Sequence, residues 1–161
     1  MAQYHLNRAM DLVGNIVRSG ALNGESNVHA AIVLIGETGV GKSTAVAEWC
    51  AKNDYGHRTV WLNTMEDHGD VLGRTYDYET EDGRRVTTFA IPEWLPQAGA
   101  CEERGIIVLE EINSVPVHLV EQLKSFISER RMGEYHLPKG WVIVGTANPT
   151  SEDQNFSTSA Y

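Results

Sequence analysis

Apolar residues recur at helical spacing near the N-terminus, at Leu6, Met10, Val13, Ile16 and Val17, and Ser19-Gly20 follows as a stop. The pattern predicts an amphipathic helix from Tyr4 to Arg18. The polar stretch ALNGESN is a loop leading into Ala30-Ala31-Ile32-Val33-Leu34-Ile35, a short apolar run of the kind that forms a strand buried on both faces. A glycine-rich turn, GETGVGKS, comes next, and then a helix-compatible segment from Thr44 to Lys52 that ends near Asn53 and Gly56. Further strands are expected at Thr59-Val60-Trp61-Leu62, at Gly105 to Leu109 and at Trp141 to Thr146. Between the second and third of these strands, Thr75 to Thr80 and Arg85 to Phe89 flank Glu81-Asp82-Gly83-Arg84, and the Asp-Gly pair favours a hairpin turn. Ile91 to Ala100 reads as a short helix begun near Pro92, and Val117 to Arg131 as a strongly amphipathic one. The last dozen residues, TSEDQNFSTSAY, have a loop's composition. Strands alternating with helices imply an α/β fold, with a mostly parallel sheet, helices on both of its faces and an inserted β-hairpin.

A length of 161 residues suits one domain, and a chain of that size buries about 70% of the surface its unfolded form exposes. Apolar residues make up 42% and charged residues 22%, so the chain has the means to build a core. Basic residues number 13 against 22 acidic ones, a net charge of −9, which argues against nonspecific binding to nucleic acid or an anionic membrane. Cys50 and Cys101 are too few for a disulfide framework or a zinc site and read as buried hydrophobes in a reducing compartment. No apolar run reaches the roughly 18 residues of a membrane span, and MAQYHLNRAM lacks the apolar stretch of a secretion signal. A cytoplasmic location is expected.

The chemistry concentrates in three short segments. Gly36-Glu37-Thr38-Gly39-Val40-Gly41-Lys42-Ser43 matches GxxxxGK[ST] in full and lies between a predicted strand and a predicted helix. Its glycines let backbone N–H groups curl around phosphate oxygens, Lys42 reaches the terminal phosphates, and the Ser43 hydroxyl suits Mg²⁺. A glycine-rich turn with an incidental lysine is the bland alternative, and the complete pattern in the right context outweighs it. Ile106-Ile107-Val108-Leu109-Glu110-Glu111 is an apolar strand ending in adjacent carboxylates. At the carboxyl end of a parallel strand these acids can sit beside the P-loop, one towards hydrated Mg²⁺ and the next towards the attacking water. The plainer reading is an acidic turn opening a helix. Thr146-Ala147-Asn148-Pro149 ends the fourth strand; its amide can orient a water or touch a phosphate, or simply start a turn.

In order, spacing and type, GETGVGKST, IIVLEEIN and VIVGTANP resemble the Walker A, Walker B and sensor 1 elements of AAA+ ATPases, especially the MoxR and dynein-related branch. The resemblance runs from about Val28 to Asp153, leaving residues 1–27 as an N-terminal helix and linker. It implies a P-loop NTPase fold in which Gly36, Glu37, Thr38, Gly39, Val40, Gly41, Lys42, Ser43 and Thr44 hold the nucleotide, Ser43 and Glu110 face Mg²⁺, Glu111 is the catalytic base, and Asn148 is sensor 1. It also implies ATP as substrate, a homo-oligomeric ring, hexameric in the full-length protein, and a protein partner that the ring remodels. The segment Thr75 to Phe89 would be the hairpin that this branch inserts in its second helix. Glu110 stands where the family usually has Asp, and no arginine follows Arg131. The chain is therefore expected to stop before the arginine finger, fifth strand and helical lid, with weak or absent turnover on its own and an uncovered sheet edge.

Other readings stay open on the sequence: a nucleotide-gated binding module without turnover, and a P-loop kinase or GTPase, since the loop grips phosphates and not the base. The six histidines never fall at metal-binding helical spacing and take no assigned chemistry. Arg84-Arg85 marks the hairpin tip, and Arg130-Arg131 supplies favourable charge at a helix end.

Overall fold

The structure is a computed structural model that describes residues 2–22, 24 and 31–149, with side chains from residue 5 onward. Helix α1 (Ala2–Arg18) precedes strand β1 (Ile32–Ile35), helix α2 (Lys42–Asn53), strand β2 (Gly56–Trp61) and the short helix α3 (His68–Leu72). A ribbon of β3 (Thr75–Glu79) and β4 (Arg85–Phe89) follows, then β5 (Gly105–Glu110) and α4 (Val120–Glu129). The two-residue strands β6 (Arg131–Met132) and β7 (Tyr135–His136) lead to β8 (Trp141–Ala147). The central sheet has four strands in the order β1-β8-β5-β2, and every pairing in it is parallel.

Side-chain alternation along β5 and β8 explains why both faces are covered. Ile106 and Val108 point with Val142 and Val144 to one side, where Met10, Val13 and Val17 of α1 and Val46 and Cys50 of α2 close over them. Ile107, Leu109 and Ile143 point to the other side, where they meet Leu123 and Phe126 of α4. Period-two alternation along the apolar stretches of these two strands thus builds one core on each face. At the strand starts, Gly105 makes room for the buried Trp141: a Cβ there would lie 2.6 Å from the indole. The indole N–H donates to Glu102 O at 2.9 Å.

The strands expected at residues 105–109 and 141–146 are present, as is the hairpin, whose turn places Gly83 at φ 79°. Its strands pair from Thr75 with Phe89 to Glu79 with Arg85, and all of β3 is exposed. The helices expected from Tyr4 to Arg18 and from Thr44 to Lys52 are also present, as Ala2–Arg18 and Lys42–Asn53, whereas other readings need correction. The strand expected at residues 30–35 begins at Ile32 and buries only Leu34, with Val33 and Ile35 exposed, so it is not covered on both faces. β2 begins at Gly56, three residues before the apolar stretch, because Gly56, His57 and Arg58 pair with Gly105, Ile106 and Ile107. Leu62 belongs to a 3-10 turn after the strand. Residues 91–100 form no helix; they run as turns, with Leu95 N donating to Pro92 O and Ala100 N to Gln97 O. Pro96 has no N–H for an α-helical bond to Pro92 and its ring would clash there. Trp94 Nε1 bonding Asp70 O at 3.1 Å and Tyr135 Oη bonding Pro96 O at 2.7 Å pin the segment down instead.

The helix expected from Val117 to Arg131 opens with a 3-10 turn at Val117–Leu119 and closes at Glu129. Arg130 turns left-handed at φ 57° and buries its guanidinium, which donates to Leu22 O at 3.0 Å, Pro138 O at 3.1 Å and Trp141 O at 2.8 Å. It is a cross-link between segments and not a solvated helix-end charge. Cys50 is buried, whereas Cys101 is only half-buried. Ala30 and residues 150–161, read above as the start of a strand and as a loop, lie outside the described residues.

Candidate active site

β1 delivers the chain to the phosphate-binding pattern, and Gly36 N bonds Ala147 O at 3.2 Å, tying the loop to the end of β8. Gly39 at φ 82° and Gly41 at φ 88° then turn the loop through the left-handed region, which only glycine enters without strain. Gly41 caps α2 without any side-chain hydrogen bond, and the first intrahelical amide bond there is Ala45 N to Gly41 O at 2.9 Å. The earlier amides of the first turn, with the positive end of the helix dipole, face the loop's hollow. Lys42 folds its ammonium over that hollow, donating to Gly36 O at 2.6 Å and Glu37 O at 3.0 Å and reaching Asn148 Oδ1 at 3.5 Å.

The acids arrive by the strand alternation that built the core. The row Ile106-Val108 ends on Glu110, and the row Val142-Val144 ends on Thr146, so a polar pair closes two apolar rows on the α2 side. Glu110 is 4% exposed and Thr146 is 1% exposed. The Thr146 hydroxyl donates to Glu110 Oε2 and accepts from Glu111 N at 3.2 Å. Glu111 takes a left-handed backbone, φ 57° and ψ 49°, and its Oε2 accepts from Asn63 Nδ2 at 3.1 Å. Asn148 O accepts from Asn113 Nδ2 at 3.0 Å.

These side chains surround one cleft of about 310 Å³, lined by Thr38, Gly39, Gly41, Lys42, Ser43, Thr44, Trp61, Glu110, Glu111, Thr146 and Asn148. Gly36, Glu37 and Val40 lie on the other flank of the loop, where with α1 and β1 they line a groove of about 430 Å³. Lys42 borders both spaces. A more open groove of about 530 Å³ between α3 and the hairpin holds none of the candidate nucleotide, metal or catalytic residues.

The sequence profile of AAA domains of the dynein-related subfamily matches residues 31–160. The chain belongs to that family. No protein of curated function matches the sequence. Among solved structures, this AAA domain is similar to NtrX from Brucella abortus, with a TM-score of 0.54 and 16% identity over 99% of this chain and 33% of that one. NtrX in complex with ATP gives a TM-score of 0.54 at 15% identity over 98% of this chain and 31% of that one. NtrX in complex with ADP gives 0.53 at 15% over 97% and 31%. The chain thus spans about a third of the length of those proteins, and at such identity the likeness shows the fold alone. No helix among the described residues is long and apolar enough to cross a membrane.

The family implies Mg²⁺ beside the nucleotide, and the residues present fit it. Ser43 and Glu110 line the same cleft and offer oxygen donors, the kind a hard divalent cation takes. Glu110 Oε1 is buried with no hydrogen-bond partner among the described residues, an arrangement that is costly for a carboxylate unless something in the cleft uses that oxygen. Three residues took no site role in the sequence reading: Trp61 and Thr146, which line the cleft, and Asn63, which bonds Glu111 at its edge. Asn63 follows the end of β2 and Trp61 pairs with Glu110 across the sheet, and only that parallel register reveals their proximity.

Proposed function

We propose that this AAA domain binds ATP with its phosphates in the cleft at the head of α2 and hydrolyses it there. The observation that carries the reading is the convergence of the phosphate-binding loop, Glu110, Glu111 and Asn148 on a single cleft, although they come from three separate strand ends. The amides of the loop and of the first turn of α2 would take phosphate oxygens. Those oxygens would compete with the Gly36 and Glu37 carbonyls for the Lys42 ammonium. Ser43 and Glu110 would hold Mg²⁺, which when bound supplies neutralisation of charge on the β- and γ-phosphates. Glu111, with Oε2 held by Asn63, would take a proton from the attacking water at Oε1. Asn148, its Oδ1 turned to Lys42, would offer its Nδ2 to a γ-phosphate oxygen.

The assembly of such domains into a ring that remodels a partner protein is carried over from family membership, and light scattering with and without ATP reads its assembly step. Hydrolysis is tested by phosphate release. Glu111→Gln keeps the shape and removes the base, so ATP affinity should stay within about threefold while turnover falls by 10²-fold or more, on the scale typical of general bases. A variant that turns over ATP at the wild-type rate would remove Glu111 from its role. Binding by the wild type with no phosphate release in any assembly would leave a nucleotide-gated binding module.

A further inference from the structure

We propose that Thr146 is a positioning residue that sets the geometry of both acids at the head of β5, and that through it a glutamate at position 110 can serve towards Mg²⁺. The inference rests on the ATPase reading above and adds to it a residue outside the three motifs' assigned side chains.

A hydroxyl has one proton to give and two lone pairs to accept with. Thr146 spends the proton on Glu110 Oε2 and one lone pair on the amide of Glu111, so a single atom contacts two consecutive acidic residues. The first contact fixes the rotation of the Glu110 carboxylate. With Oε2 engaged, Oε1 is the oxygen left over, and it is the buried side-chain atom without a partner among the described residues. A glutamate has one more rotatable bond than an aspartate, so an unrestrained carboxylate at this strand end would occupy several positions, and the clasp selects one. The second contact holds the Glu111 amide where the backbone leaves the strand and enters its left-handed turn, the conformation from which Glu111 reaches Asn63. Thr146 is itself held by the sheet: β8 lies between β1 and β5, with Leu34 paired to Thr146 and Leu109 paired to Gly145. Its hydroxyl is thus anchored on one of the two inner strands, two residues before Asn148.

The test is calorimetric titration of the chain with ATP, once with Mg²⁺ and once with EDTA, for wild type, Thr146→Val and Thr146→Ser. Valine keeps the shape and deletes the hydroxyl; serine keeps the hydroxyl and deletes the methyl. Wild type should gain about tenfold or more in ATP affinity from Mg²⁺, a difference of about 1.4 kcal/mol. Thr146→Val should lose that gain and keep its affinity in EDTA within about twofold, whereas Thr146→Ser should retain the gain. In a Glu110→Gln background, Thr146→Val should change the Mg²⁺ dependence no further, because both act through the same carboxylate. Should the valine variant fail to fold, Thr146→Ala deletes the same hydroxyl and carries the same comparison. A full Mg²⁺ gain in the variants lacking the hydroxyl, or an equal loss in Thr146→Ser, would overturn the proposal, as would a wild type that binds ATP with no gain from Mg²⁺. A wild type that binds no ATP under either condition would instead overturn the ATPase reading, and this inference with it.

Discussion

Lys42→Ala separates the ligand role of the phosphate-binding loop from its structural role. In the folded chain the ammonium donates to Gly36 O and Glu37 O from a half-buried position, with Asn148 Oδ1 at the limit of hydrogen-bond range. Both carbonyls sit in a loop open to solvent, so water replaces the lost donor and the substitution should cost about 1 kcal/mol of stability or less. Binding should suffer more, because a charge-assisted contact to phosphate is worth about 1.5–3 kcal/mol, or roughly 10- to 150-fold in Kd. Thermal melting with ATP reads both effects at once. With ATP at 100 times the wild-type Kd, binding adds about 2.7 kcal/mol to the wild type, and for a variant weakened 100-fold it adds only about 0.4 kcal/mol. At about 2–4 °C per kcal/mol for a domain of this size, the ATP-induced rise in Tm should be roughly 5–11 °C for wild type and about 1–2 °C for Lys42→Ala. Equal rises for the two proteins would refute the placement of the phosphates beside Lys42. A large drop in Tm without ATP would show that the lysine is a structural tie.

Three further outcomes follow from the packing. Arg130→Leu strips a donor from the Leu22, Pro138 and Trp141 carbonyls; Pro138 O keeps the Trp141 amide at 3.3 Å, so at about 1 kcal/mol or more for each of the other two acceptors, chemical denaturation should show a loss of at least about 2 kcal/mol. Gly105→Ala puts a Cβ 2.6 Å from the Trp141 ring, so the Tm should fall and the Trp141 fluorescence should shift, and an unchanged Tm would mean that the indole moves aside freely. Burial, with help from Arg58, pulls the His57 pKa below its ordinary value of 6.5 against an opposing pull from Glu110. The unfolded chain then binds more protons below about pH 6.5, so stability should decline as pH falls from 6.5 through the lowered folded value, and His57→Phe should flatten that part of the pH–stability curve.

What the sequence made legible is local. The loop from Gly36 to Ser43 is a contiguous backbone requirement, with glycines at the positions that turn left-handed, so its pattern survives in one dimension. Strands β5 and β8 are covered on both faces and announce themselves as unbroken apolar runs. The hairpin is written in Asp82-Gly83. What the sequence concealed depends on contacts across the chain. β2 is an edge strand among the described residues, so its first residues Gly56, His57 and Arg58 do not have to be apolar and the start of the strand leaves no hydrophobic mark. The apolar residues of the segment 91–100 suggested a helix until Pro96 and the two side-chain bonds to Asp70 and from Tyr135 decided otherwise. α3 carries its own signal, an Asp67 cap answered by Asp70, in a segment whose apolar residues are too few to draw attention. For the cleft, Lys42, Glu110, Glu111 and Asn148 could be named from motifs, whereas Thr146 and Asn63 acquire meaning only when parallel register places them beside Glu110 and Glu111.

The most direct test of the central claim is a crystal structure of the chain grown with Mg²⁺ and a non-hydrolysable ATP analogue. The account predicts β- and γ-phosphates within hydrogen-bonding distance of the amides from Gly39 to Thr44 and of Lys42 Nζ, with an ion between the γ-phosphate, Ser43 Oγ and Glu110 Oε1. An analogue seated in the groove between α3 and the hairpin, or phosphates out of reach of Lys42, would contradict it.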